Sequence, residues 1–241
     1  NIPFYGLAEV TVGGRSCVIS QTGFSGESGY EIYLRNATLY ADDMWDAVLE
    51  AGKKHNLMVI APAHHRRIQA GILSWGQDLD HEHNPFQCNL GYQVSLSGKG
   101  EWAKKGDYVG KQALEKMKAD LKDGHKPYKL QLVGFEIGGK PIDEYAPDFW
   151  LVSPGDGGDP CGFITSPWYH PEKGKNIAMG YIPYDGTLNS NGFPKWELGK
   201  KYKVHLPDIY ADEPGVPVDA VTVDVPFTES FNANTREVVK G

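Results

Sequence analysis

Six short β-prone runs in the second half of the chain restrict the fold more than any other feature. Glycine, proline and asparagine separate these runs, which cover residues 130–137, 149–152, 162–165, 177–182, 202–206 and 218–225. Several short strands at this spacing are typical of a small barrel or sandwich. Helical periodicity stops near residue 126, so we predict a domain boundary there, between residues 1–126 and residues 127–241.

The first part of the chain mixes helix and strand signals. β-branched residues and a Gly13-Gly14 turn signal predict two or three strands within residues 1–34. An amphipathic helix follows, and the apolar run at residues 57–60 is expected to be a short buried strand. This β-β-α-β order predicts the α+β fold class. The remaining predictions are a helix at residues 63–71, a strand at 90–94 and a helix at 111–122.

Charge and composition exclude several classes of protein. A net charge of −7 argues against a broad nucleic-acid surface, which would be basic. No apolar run approaches the roughly 20 residues of a membrane span. Three widely spaced cysteines predict reduced thiols and a cytoplasmic location. The first residue is asparagine, so we expect a preceding segment to be missing, and the polar tail from residue 228 is predicted to be partly disordered.

A glycine-rich stretch at residues 22–32 is the strongest candidate for a binding loop. Three glycines alternate with Ser25, Glu27 and Ser28 between two β-rich runs. A loop of this kind can bring its backbone close to a ligand, since no Cβ stands in the way. The Glu27 carboxylate could then accept two parallel N–H bonds from an amidine-like edge. The alternative is a turn between two strands whose glycines only reverse the chain.

Two further clusters have weaker signals. His81 and His83 lie among acidic residues, but two histidines at this spacing seldom complete a metal site, so we predict a solvated loop and no metal. Trp168, after the Thr165-Ser166-Pro167 turn, could contact a ligand near a domain interface or serve in packing.

Several motifs occur in one order over nearly the whole chain. The stretch at 22–32, the Ser74–Asp80 segment, the Asp107–Leu114 segment and the Gly162–Ile182 segment resemble successive motifs of the aminomethyltransferase (glycine-cleavage T-protein) family. The Val225-Pro226-Phe227 segment resembles the end of that family's sequence. Together these segments are more specific than any one alone.

The resemblance implies the end of a folate-binding α+β region followed by a C-terminal β-barrel. It also implies an enzyme, a tetrahydrofolate-dependent methyltransferase that takes its one-carbon unit from a small-molecule methyl donor. The residues it marks for cofactor binding are Glu27, Tyr30, Arg67, Trp75 and Trp168. Glu27 would hold the pterin ring, Tyr30 or Trp75 would stack on it, and Arg67 would pair with a folate carboxylate or with a structural acid.

The family's first half is missing from this chain, so no catalytic residue can be named. Residues 1–241 alone are expected to be inactive without that N-terminal half. The resemblance offers no role in binding nucleic acid or membrane.

Departures from the family pattern point to a particular branch. Ala63 and His64 stand where the family has arginine and an acid, and Trp75 stands where it has tyrosine. These changes are similar to those of the tetrahydrofolate-dependent aromatic O-demethylases, which act on vanillate- or syringate-like methoxyarenes. The alternatives are an aminomethyltransferase of glycine cleavage and the folate-binding part of a flavin-dependent sarcosine or dimethylglycine oxidoreductase.

Overall fold

The computed structural model describes residues 2–96 and 106–228 and divides the chain into two compact units. The first unit runs to Ile72 and includes Thr228, and the second is Leu73–Phe227. The domain boundary predicted near residue 126 falls inside the second unit and stays a prediction. The polar tail predicted to be disordered lies, from residue 229 onward, outside the described residues.

The first unit is a small antiparallel sheet with helices. Its elements are β1 (Leu7–Val12), β2 (Arg15–Ser20), β3 (Glu31–Leu34), α1 (Ala37–Gly52), a 3-10 turn (Lys53–His55) and α2 (His64–Gln69). The strands pair in the order β1-β2-β3, and Gly13 and Gly14, both at positive φ, form the turn between β1 and β2. The prediction of two or three strands followed by a helix is therefore confirmed.

The apolar run at residues 57–60 is not the buried strand that its composition predicts. It has no strand partner among the described residues, and the four side chains are exposed, with Met58 at 78%. Apolar composition favours burial only where a neighbouring surface exists to cover the side chains. The three-stranded sheet ends without a strand beside this run.

The second unit is built around a closed antiparallel barrel. Its elements are α3 (Lys111–Lys122), β4 (Leu130–Ile137), β5 (Trp150–Pro154), β6 (Gly162–His170), β7 (Lys175–Pro183), β8 (Lys201–Val204) and β9 (Val218–Val223). The strands follow the order β4-β7-β6-β5-β8-β9, and β9 pairs with β4 to close the barrel. The predicted barrel and the mixed fold class are confirmed. No helix in the described ranges is long and apolar enough to cross a membrane.

Inward-facing apolar side chains fill the barrel. Val133, Phe135 and Ile137 of β4 alternate along the strand and pack with residues such as Val152 and Val204 from other strands. Alternate residues of a strand point to the same face, so this spacing directs one set of side chains inward. Outside that core, Leu121 of α3 packs with Phe86, Tyr128 and Tyr184.

The strand predicted at residues 90–94 is instead a 3-10 turn, Gly91–Gln93. Gly91 is buried against two phenylalanine rings, and a Cβ at this position would lie 2.8 Å from Phe193 and 2.9 Å from Phe86. The chain therefore packs against side chains here, and no strand of the described part runs beside it.

His170, at the end of β6, is a buried histidine without hydrogen-bond partners. Its side chain is 1% exposed, and neither ring nitrogen has a partner among the described residues. Burial lowers the pKa of the imidazole, and the positive charge of Lys173 lowers it further. An unsatisfied polar group in such a site costs free energy on folding.

The His170→Leu variant is therefore expected to be more stable than the wild type by about 1–2 kcal/mol, since it removes the unsatisfied nitrogens. The wild type should lose stability as the pH falls below about 6.5, because the unfolded histidine binds a proton more readily than the folded one. The loss should level off below the lowered folded pKa. Urea denaturation between pH 5 and 8 measures both effects, and a variant with the same pH dependence as the wild type would contradict this assignment.

Candidate functional site

The glycine-rich loop lies between β2 and β3, and hydrogen bonds fix its two ends together. Thr22 at the start of the loop donates to the carboxylate of Glu31 at its end, and the Tyr33 hydroxyl donates to the same carboxylate at 2.9 Å. The Ser20 and Thr22 hydroxyl oxygens lie 2.6 Å apart. The bonds from Thr22 and Tyr33 lower the pKa of Glu31, because they stabilise its charged form. Hydrogen bonds therefore hold the two ends of the loop together.

Gly26 brings the loop against the end of α2. Its φ is +78°, and a Cβ there would lie 2.3 Å from the Cβ of Ala70. Both the backbone conformation and the close approach favour glycine at this position. At Gly26, glycine thus allows a close contact within the first unit. At Gly23, by contrast, an added Cβ would have no neighbouring atom within 4 Å.

We expect Gly26→Ala to lower the free energy of unfolding by about 2–4 kcal/mol, from the left-handed conformation and the clash with Ala70. Gly23→Ala is the matched control in the same loop, because its Cβ would meet open space. Chemical denaturation of both variants checks the prediction. Equal losses in the two variants would show that the contact with α2 is not what requires glycine.

Glu27 follows Gly26 and carries an exposed carboxylate. Its side chain is 66% exposed, and its Oε1 accepts a hydrogen bond from Nη1 of Arg66 on α2 at 2.8 Å. The Glu27 backbone N–H donates to Ser25 Oγ at 3.2 Å. The second oxygen, Oε2, has no hydrogen-bond donor within the described part of the chain. The loop thus presents one carboxylate oxygen that is held and one that is available to a ligand.

Arg67, next to Arg66, lies inside the first unit. It is fully buried, and it donates from Nη1 to the Ile72 carbonyl at 3.1 Å and from Nε to His64 Nδ1 at 3.4 Å. Its guanidinium carbon lies 5.8 Å from the ring centroid of Phe24 in the loop. These contacts connect α2, the loop and the segment that follows the helix. The predicted contact of Arg67 with folate stays a prediction.

The other predicted site residues fall into both units. Tyr30 is an exposed residue at the end of the loop that carries Glu27. Trp75 and Trp168 belong to the second unit, where Trp75 is 66% exposed and Trp168 is a half-buried residue of β6. The structure thus places Glu27 and Tyr30 on one loop and Arg67 within the same unit. Their predicted roles in cofactor binding stay predictions.

A buried carboxylate that sequence reasoning did not single out anchors the Trp75 turn. Asp78 is 1% exposed, and its Oδ2 accepts a bond from the Ser74 N–H at 2.8 Å. Its Oδ1 accepts bonds from the Thr165 hydroxyl at 2.5 Å and the Ser166 hydroxyl at 2.6 Å. The segment around Trp75 is thereby fixed to β6 of the barrel.

A β-bulge explains how two consecutive hydroxyls reach one carboxylate. Neighbouring residues of a regular strand point to opposite faces. The β6–β7 register shifts between Ile164 and Ser166, so Thr165 is the extra residue of a bulge that changes the side-chain directions. Nothing in the Ser74–Asp80 motif or in the Thr165-Ser166 motif alone indicates that they meet.

Trp75 directly precedes a tight turn at residues 76–78. The Asp78 N–H donates to the Ser74 carbonyl at 2.8 Å, and the Gly76 N–H, at a φ of +81°, donates to the Leu79 carbonyl at 2.8 Å. An exposed tryptophan on a turn with this many bonds has a defined position for stacking on a flat ligand.

His81 and His83 do not belong to a metal-binding cluster within the part of the chain that the structure describes. His83 Nδ1 lies 2.8 Å from Asp80 Oδ1, and this bond lowers the pKa of Asp80. Within the described ranges, no group of three or more His, Cys, Asp or Glu side chains is arranged to hold a metal ion. The cysteines are free thiols, with Cys17 and Cys88 buried and Cys161 half-buried.

Comparisons with known proteins agree with this architecture. The model of the GCVT N-terminal domain family matches residues 1–98. An aminomethyltransferase of Symbiobacterium thermophilum is 33% identical over 186 residues, which are 75% of this chain and 44% of the relative. The aminomethyltransferase of Caldanaerobacter subterraneus subsp. tengcongensis is 30% identical over 181 residues, 74% of this chain and 43% of the relative. The aligned part thus spans less than half the length of these relatives.

A solved structure has a similar fold. The glycine cleavage system aminomethyltransferase T from Bartonella henselae superimposes with a TM-score of 0.61 and 20% sequence identity. The superposition covers 95% of this chain and 54% of that protein. The chain is therefore homologous to aminomethyltransferases over about three quarters of its length, and its first 98 residues match the GCVT N-terminal domain family.

Proposed function

We propose that this chain is part of a tetrahydrofolate-dependent one-carbon transferase of the aminomethyltransferase type, with the loop that carries Glu27 as its pterin site. The homology to aminomethyltransferases supports the class of enzyme. The observation that carries the site is the Glu27 carboxylate, which projects from a loop fixed at both ends and keeps Oε2 available. Tetrahydrofolate itself follows from the family resemblance.

The pterin ring presents an amino-pyrimidine edge with adjacent N–H donors. A carboxylate satisfies such an edge with two parallel bonds, and bonds to a charged acceptor are about twice as strong as neutral ones. Arg66 holds Oε1 of Glu27 at 2.8 Å and so restricts where the carboxylate points. A pterin edge would either share this carboxylate with Arg66 or displace the guanidinium from Oε1.

Aromatic side chains are suited to contact the flat ring. Tyr30 follows Glu27 on the loop and is exposed, so its uncharged ring is open for stacking. The resemblance also marks Trp75, which is exposed on a turn of the second unit. In this proposal Arg67 supports the loop through its contact with the Phe24 ring. Trp168 either contacts the folate tail or serves in packing.

The identity of the one-carbon donor distinguishes two candidate reactions. The relatives are aminomethyltransferases, so aminomethyl transfer to tetrahydrofolate is the better-supported reaction. Demethylation of vanillate- or syringate-like methoxyarenes is the second candidate, and its support is the local change at Ala63, His64 and Trp75. His64 here accepts a hydrogen bond from Arg67 through Nδ1, so an imidazole acceptor occupies the place of an acid.

Product analysis separates these reactions. An aminomethyl carbon is one oxidation level above the methyl group of a methoxyarene, so the folate adducts differ in mass. The full-length protein should be incubated with tetrahydrofolate and either an aminomethyl-charged carrier of the glycine cleavage system or vanillate and syringate. We expect a folate adduct at the methylene level from the aminomethyl donor. Methyl-tetrahydrofolate formed from a methoxyarene alone would establish the second candidate instead.

The exposed apolar run at residues 57–60 supports a role for a further segment in the active protein. In this proposal the N-terminal half implied by the resemblance covers the run and supplies the catalytic groups. Residues 1–241 are then expected to show no turnover alone. Turnover of either donor by this chain in isolation would contradict the proposal.

A further inference from the structure

A groove at one end of the barrel is separate from the residues proposed for folate. It has a volume of about 710 Å³ and lies where β5 and β7 end and where β6 and β8 begin. Its lining includes Tyr184, Tyr202, Cys161 and three lysines. This volume lies in the range of small-molecule sites.

The floor of the groove is aromatic and uncharged. Tyr184 and Tyr202 are each 4% exposed, and burial raises the pKa of both phenols. Tyr184 stacks on Tyr128 with ring centroids 5.0 Å apart, and Tyr202 meets Phe135 edge to face at 5.9 Å. These contacts hold the two phenol rings in place, and the groove reaches only the small exposed part of each ring, beside Pro154 and Pro183.

The rim of the groove carries ammonium groups without carboxylate partners. Lys126, Lys200 and Lys201 are exposed, and none forms an ion pair with any residue that the structure describes. Other lysines of the second unit do pair, namely Lys116, Lys175 and Lys203, at 2.5–2.8 Å from a carboxylate.

Two acids, Asp156 and Asp185, also line the groove. Asp185 accepts a bond from the Thr187 N–H at 2.8 Å within its own turn. Three lysines against two carboxylates leave the groove with one net positive charge in a chain of net charge −7. An anion is therefore attracted to this surface, although the chain as a whole carries negative charge.

We propose that this groove binds a small carboxylate with an apolar body. The apolar part would lie against Pro154, Pro183 and the exposed parts of the two tyrosines, and the carboxylate would face the lysine rim, where charge-assisted bonds form. Neither feature alone selects this class: the floor would accept a neutral apolar molecule, and the rim would accept an inorganic anion. The combination distinguishes an apolar carboxylate from both.

Calorimetric titration of the protein with benzoate, benzyl alcohol and inorganic phosphate tests the proposal. We expect saturable benzoate binding and affinities for the other two at least about tenfold weaker, because each satisfies only one feature of the groove. The triple variant K126A/K200A/K201A should lose benzoate affinity by at least about tenfold. The control variant K116A/K175A/K203A removes the same number of charges from the same unit and should keep the benzoate affinity of the wild type.

The thiol of Cys161 reports occupancy of the groove directly. Cys17 and Cys88 are buried, so a neutral disulfide such as dithiodipyridine should react first at Cys161, with the thiolate attacking one sulfur and thiopyridone leaving. Benzoate is expected to slow this reaction in step with binding. The proposal is overturned by absent benzoate binding, by equal binding of phosphate or benzyl alcohol, by equal losses in the two triple variants, or by binding that leaves Cys161 unprotected.

Discussion

Replacement of Asp78 by alanine is expected to lower the free energy of unfolding by about 3–5 kcal/mol, because it removes a buried carboxylate that accepts three hydrogen bonds. The variant removes the carboxylate that accepts bonds from the Ser74 N–H and from the hydroxyls of Thr165 and Ser166, while the Thr165 hydroxyl keeps the Met179 carbonyl at 3.1 Å as a second acceptor. Each unsatisfied donor retains its desolvation cost of about 1–3 kcal/mol. Urea or guanidinium denaturation measures the loss.

Two variants make this prediction sharper. Asp78→Asn keeps an Oδ1 acceptor for the two hydroxyls but presents an amide to the Ser74 N–H, so its loss should be intermediate. Asp80→Ala, two residues away, removes a partly exposed carboxylate and should change stability little. If Asp78→Ala and Asp80→Ala lose equal stability, the network does not anchor the Trp75 turn to the barrel.

Replacement of Glu27 by glutamine is expected to weaken tetrahydrofolate binding by about ten- to a hundredfold, since charge-assisted bonds to a pterin edge contribute about 1.5–3 kcal/mol. Glutamine keeps the size of the side chain but replaces one acceptor oxygen with a donor, which repels an N–H of the ligand. Equilibrium titration of the full-length variant with tetrahydrofolate measures this change.

The same variant should fold as well as the wild type. The Glu27–Arg66 pair is largely exposed, with side-chain exposures of 66% and 48%, and exposed pairs contribute about 0–1 kcal/mol. Glu9→Gln is the matched control, because Glu9 is an exposed carboxylate that pairs with Arg35 at 2.6 Å in the same unit. A Glu9 variant that weakens folate binding as strongly as Glu27→Gln would show that lost surface charge causes the effect.

The local sequence pattern was sufficient to predict elements that pack against one continuous core. The alternating β-prone run at residues 130–137 predicted β4 (Leu130–Ile137), and the 3.6-residue periodicity after Gly110 predicted α3. In α3 the partly buried residues repeat at the helical period, and in β4 Val133, Phe135 and Ile137 belong to the barrel core at alternate positions. The helix and most barrel strands of the second unit could therefore be predicted to within a few residues, whereas the run at 162–165 covers only the first part of β6, which extends to His170.

Burial at residues 57–60 could not be predicted from local pattern, because it depends on a surface elsewhere. These four apolar residues have the composition of a buried strand, yet no described strand lies beside them. The 3-10 turn at Gly91–Gln93 is a related case, in which contact with Phe86 and Phe193 replaces strand pairing. Composition shows what a segment favours, and the neighbouring surfaces decide what it forms.

The candidate site was predictable in part for the same reason. The glycine spacing and Glu27 are local features, and they identified the loop. The bond from Arg66 to Glu27 joins residues 39 positions apart, and that from Thr165 to Asp78 joins residues 87 apart. Two adjacent arginines, one exposed and one buried, have no local signal that tells them apart.

Hydrogen–deuterium exchange of the full-length protein, with and without tetrahydrofolate, tests the central claim most directly. If the loop that carries Glu27 holds the pterin, tetrahydrofolate should slow exchange of the amides in residues 22–31, and Glu27→Gln should abolish that protection at the same ligand concentration. Saturable binding of tetrahydrofolate with no change of exchange in this loop would contradict the claim.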